Sequence, residues 1–199
     1  MSWRLSSAKL IRTLEGPMKP LACIAALMLW VSSVAFAENS ERVPYVTQEE
    51  FLFSGDKHKQ ARTWAKCAAL YETLADINQV WDNPSLAKHF NNLRNGAKIS
   101  VGMTFVVSNL GTSPEELSPS RFNATWSYAK VAMDEMPAVE LTAINANMEL
   151  AKKNADLENE IQSIIAGVAV CMEHLAGQQA YIDIWRELAT SGLLALPKQ

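Results

Sequence analysis

The chain has 199 residues, a formal net charge of −3 at pH 7 and three cysteines. Setting residues 1–37 aside removes four basic residues and one acidic residue from totals of 18 and 21, so residues 38–199 carry a net charge of −6. That balance excludes the basic footprint of a nucleic-acid binder and argues against attraction to an anionic membrane.

Residues 1–37 are read as a secretory signal peptide. Arg4, Lys9, Arg12 and Lys19 form a basic region, Leu21 to Ala37 carries no charge, and the run closes on Ala35-Phe36-Ala37. Cleavage is expected after Ala37, which places the mature protein in a secreted or periplasmic compartment. Either Met1 or Met18 can be the start, because Met18 to Ala37 is a complete short signal on its own. The uncharged run is at the short edge of a bilayer span, so no stable membrane insertion is expected once the leader is gone. Cys23 leaves with it. Cys67 and Cys171 remain, and an even pair in an oxidising compartment is expected to be bonded.

Residues 38–46 show no periodicity and read as a flexible N-terminal arm; a helical domain is expected over 47–192, with 193–199 as a tail. Thr47-Gln-Glu-Glu50 has the spacing of a capping box, and a short helical turn should follow and stop at Ser54-Gly55. The first main helix should run from Asp56 to about Val80, with Trp64, Cys67, Tyr71, Leu74 and Trp81 along one stripe. Asn83-Pro84 should cap and open the next helix. Leu86, Phe90, Leu93, Ala97, Val101 and Phe105 continue at helical spacing. The β-branched stretch Ile99 to Val107 offers a strand as the competing reading. Gly111, Ser113, Pro114 and Glu116 then end one helix and start a single turn.

A helix is expected from Pro119 to about Glu135, broken by Met136-Pro137. From Pro137 to Thr190 the pattern is helical almost throughout. The apolar phase slips at Asn154-Ala155-Asp156, where Asp156 should cap the last helix. That helix carries Leu157, Ile161, Ile164, Val168, Cys171, Leu175, Ile182, Trp185 and Leu188, and a bend is expected at Gly177. The fold class expected is all-α: a single bundle of about five main helices, the first and last joined by Cys67–Cys171.

Few groups suggest chemistry. Cys171-Met-Glu-His174 puts a thiol and an imidazole one turn apart, which makes His174 a weak metal candidate, but a bonded cysteine removes the thiol ligand. The methionines are spread over separate helices beside apolar positions, where methionine fills gaps. Gly96-Ala-Lys98-Ile-Ser100 lacks the Gly-Lys-Ser/Thr order of a phosphate loop. No catalytic residue, metal site or cofactor is assigned. Trp64, Tyr71, Trp81 and Trp185 lie on the two cysteine-bearing stripes and are read as core or as the lining of a groove or cavity. The preferred functional reading is an exported, non-catalytic helical protein that binds another envelope protein through a helical face. The alternative is a small-molecule or metal-binding periplasmic module with a tryptophan-lined cavity.

Overall fold

The computed structural model describes residues 44–52, 55–109 and 119–192. The leader, the expected cap and turn between Gly111 and Leu117, and the tail lie outside the described residues. Those described form six helices and no strand: α1 (Gln48–Leu52), α2 (Lys57–Val80), α3 (Pro84–Asn109), α4 (Pro119–Lys153), α5 (Leu157–Glu173) and α6 (Leu175–Thr190).

α2 and α3 form an antiparallel hairpin with the most extensive contact among the described helices. Small residues explain their close approach. Ala61, Ala65, Ala68, Ala69 and Ala75 are buried on α2, and Gly96, Ala97, Ser100, Gly102 and Thr104 are buried on α3. The Ser100 and Thr104 hydroxyls donate to the carbonyls of Gly96 and Ser100, so burying them orphans neither. This settles Ile99 to Val107 as helix. Three of its β-branched side chains, Val101, Thr104 and Val106, are buried in the core while Val107 is exposed, and among the described residues there is no strand for them to pair with.

Local chemistry sets the ends of the hairpin. The Asp56 carboxylate accepts from the backbone N–H groups of His58 and Lys59, and these two bonds hold it below the usual carboxylate range. Asn83 Oδ1 accepts from Leu86 N–H at 3.3 Å, and Pro84 opens α3. Between them Asp82 turns the chain with a φ of 55°. The reciprocal box expected of Thr47 and Glu50 does not form: both Glu50 carboxylate oxygens lie 2.9 Å from Lys66 Nζ.

α4 corrects one expectation. It runs 35 residues straight through Pro137, about 52 Å at 1.5 Å per residue. Packing on both sides outweighs the lost backbone hydrogen bond. Before the proline, Asp134 meets Lys98 at 2.6 Å, and Gly102 lies so close to Met133 that an added Cβ would sit 2.5 Å from its sulfur. After it, Glu140 meets Arg62 at 2.7 Å and Ile144 is buried. The proline ring itself is buried.

The slip at residues 154–156 is a true break. Ala155 takes a φ of 55°, and α5 starts at Leu157. Asp156 occupies the cap position, but its carboxylate accepts from the Asn159 side chain at 2.6 Å and makes no side-chain bond to the helix backbone.

The final correction concerns the disulfide. Cys67 and Cys171 are bonded, yet they join α2 and α5 rather than the first and last helices. The chain breaks at His174, three residues before Gly177, so the segment beyond the cysteine is a separate helix. α6 turns away to lie on α3, where Gln178 Nε2 donates to Leu93 O at 3.3 Å. Five long helices remain because the fusion at Pro137 and the split at His174 offset each other.

Candidate functional site

The cysteine-bearing stripes converge as their spacing implies. Cys67 and Cys171 are fully buried, with Trp64 one turn before Cys67 and Tyr71 one turn after it. Trp64 is 3% exposed, edge-on to Phe51 and Tyr181, and its ring lies over Gly177. Tyr71 is completely buried and stacks on Phe90. Its hydroxyl finds no hydrogen-bond partner among the described residues, and desolvation pushes the phenol far above its ordinary value. Trp185 is half-buried against the same core. Trp81 is apart from them: it caps α2 and is 48% exposed. Trp64 and Tyr71 therefore act as packing on the described faces, Trp185 as its margin, and Trp81 faces solvent.

His174 sits at the α5–α6 break. Its Nε2 is 2.8 Å from Gln48 Oε1, and its ring stacks on Phe51 with centroids 3.8 Å apart. The other two histidines also lie against phenylalanines, His58 on Phe105 and His89 on Phe90. Among the described residues no three His, Cys, Asp or Glu side chains gather as a metal site.

Two features left little trace in the sequence. The first is the segment Tyr45–Phe51, which crosses the bundle as a clasp. Tyr45 donates its hydroxyl hydrogen to Glu160 and accepts from Asn147 at 3.0 Å; Val46 is fully buried. Gln48 bonds Glu173 as well as His174, and Glu50 holds Lys66. The end of the expected flexible arm, Tyr45 and Val46, is thus tied to α4 and α5. A nonperiodic stretch of mostly polar residues gives no signal of this, since each contact is to a residue distant in the chain.

The second feature is the outer face of α4. Tyr128 and Val131 are each 51% exposed, Val139 66% and Leu150 57%. Tyr128, Val139 and Leu150 recur every eleven residues, three helical turns, and so lie along one line of the helix. That line is out of phase with the buried Phe122, Ala129, Ile144 and Ala151. The signal was present as apolar residues that the core stripe could not absorb.

A cleft of about 350 Å³ opens between α1 and α2, lined by Thr47, Glu49, Glu50, Lys59, Arg62, Thr63 and Lys66. Its lining residues are charged or hydroxyl-bearing and mixed in sign, their aliphatic stems supply most of the wall, and tryptophan takes no part in it. Lys66 and Arg62 are committed to Glu50 and Glu140. Among the described residues no helix is long and apolar enough to cross a membrane. No family model, curated protein or solved structure matches this chain.

Proposed function

We propose that the protein is exported, loses residues 1–37, and acts without catalysis by binding another envelope protein through the outer face of α4. The observation that carries this reading is the apolar line Tyr128–Val139–Leu150 with Val131 beside it, each more than half exposed on the longest described helix, although Tyr128 also packs edge-on against Phe105. Large apolar side chains aligned on one exposed helix face are the anchors that helix-mediated recognition uses. The buried disulfide fits an oxidising compartment, and the leader's basic–apolar–small order supplies the route there.

The test is a photo-cross-linking amino acid at Val139 in an exporting host. An adduct with one envelope protein, abolished by Leu150→Glu with helix content unchanged, supports the reading. Absence of any adduct from Val139 and from Tyr128 would sink it. Intact mass should begin at Glu38; a mass that retains the leader would remove the export step. A second reading, a small-molecule or metal-binding periplasmic module, has the α1–α2 cleft in its favour. Extra mass lost on denaturation of the native protein would move the assignment there.

A further inference from the structure

The clasp and the disulfide are placed to act on one another. Lys66 and Trp64, which precede Cys67 within one turn, are held by Glu50 and Phe51. On the other strand of the bond, Glu173 and His174 follow Cys171 and are held by Gln48 and Phe51. One turn before Cys171, an added Cβ on Gly167 would lie 3.4 Å from Tyr45 Cβ, so the clasp backbone rests directly on α5. Both cysteines are fully buried beneath this arrangement. The clasp is a short segment, and little of it is deeply buried. Only Val46 is fully buried, most of its bonds are to half-exposed or exposed side chains, and Gly55, which follows it, has open space around its Cα. Tyr45 and Phe51 are only half-buried against the core, and a short segment with one fully buried side chain opens at a lower free energy than the helical core.

We propose that Tyr45–Phe51 is a gate over the Cys67–Cys171 bond, and that its opening, rather than unfolding of the bundle, admits a dithiol reductant. The chemistry is ordinary exchange. A thiolate attacks one sulfur of the bond and forms a mixed disulfide; the second thiolate of the reductant resolves it. The protein gains two electrons and two protons as two thiols, and the dithiol becomes a disulfide. The partner class is a small dithiol or a dithiol oxidoreductase.

The experiment measures the rate at which dithiothreitol reduces the folded, full exported chain, read by thiol alkylation and mass. Gln48→Ala/Phe51→Ala should react at least about tenfold faster than the unaltered chain, with far-UV circular dichroism unchanged. Val101→Ala, a core truncation on α3, a helix to which none of the clasp bonds named above is made, should leave the rate within about threefold, because it alters global unfolding and not the local opening. Two results overturn the gate: a clasp variant that reacts at the unaltered rate, or a Val101→Ala chain accelerated as much as the clasp variant. Should the double variant fail to fold, Gln48→Ala alone is held to the same comparison.

Discussion

Pro137 and His174 are the two instructive places in this chain, because each does the opposite of what its residues suggest. Pro137 removes a backbone donor in mid-helix and is accommodated; His174 removes nothing and the helix ends there. The difference lies in where the neighbouring turns are anchored. On both sides of Pro137 the helix continues along the α2–α3 hairpin, with Lys98 and Arg62 holding Asp134 and Glu140. On either side of His174 the anchors diverge, since Cys171 is bonded to α2 while Gln178 bonds α3. Two attachments seven residues apart on different partners force the chain to turn between them.

The sharpest way to break this comparison is to remove the attachment before His174. Replacing both Cys67 and Cys171 by serine should lower stability by about 4–5 kcal/mol in the chain-entropy model for a loop of this length, measured by urea unfolding. A loss below about 1 kcal/mol would mean the bond adds nothing to packing. The attachment after His174 is tested by Gly96→Ala, whose new methyl would lie 2.2 Å from Gln178 Nε2. Overpacking there should cost about 1–3 kcal/mol and speed amide exchange across α6 before α5. Uniform acceleration across both helices would contradict separate anchoring.

At Pro137 the expectation is a gain. Pro137→Ala removes a mid-helix proline, which costs about 3 kcal/mol in an exposed helix through its missing N–H and its ring clash, less the apolar contact of the buried ring, for a net gain of about 1 kcal/mol. A loss of stability would show that the core depends on the proline ring. The smallest effect is expected where the chain turns after α4. Ala155→Gly removes a left-handed alanine and should add about 0.5 kcal/mol after the entropic cost of glycine. A drop in melting temperature would mean the alanine methyl packs at that turn.

A pH experiment separates the buried core from these helix ends. Tyr71 has a folded pKa raised above its ordinary value of 10.0 by desolvation, so its contribution is complete below pH 10 and is lost as pH rises above it. Tyr71→Phe should abolish that part of the alkaline destabilisation. Because the hydroxyl has no partner among the described residues, the variant should be no less stable at neutral pH. An unchanged alkaline transition would assign the loss to other groups.

These contrasts also explain what could be read from residues alone. The helical class and the start of α3 at Asn83-Pro84 follow from spacing and capping chemistry that act within a few residues, and the pairing of Cys67 with Cys171 from their being the two cysteines left once the leader is set aside. The break at residues 154–156 was legible as a phase slip. The fusion through Pro137 and the turn at His174 were not, because each depends on which helix holds the next turn. The same limit applied to the candidate residues. Trp64, Tyr71 and Trp185 were placed with the core by their stripes, but Trp81, at the helix end, escapes it. The clasp was invisible because its partners Glu160, Glu173 and His174 are over 100 positions away.

The disulfide also fixes how the protein responds to proteolysis. Cys67 and Cys171 are 104 positions apart, and all of α3 and α4 lie between them. A single cut anywhere in that interval leaves two fragments tied by one covalent bond. Such a nicked molecule migrates as a whole chain without reductant and as two pieces with it. A protease acting once between α3 and α4 would thus mark the protein without dividing it, and its separation would wait on a second, reductive event.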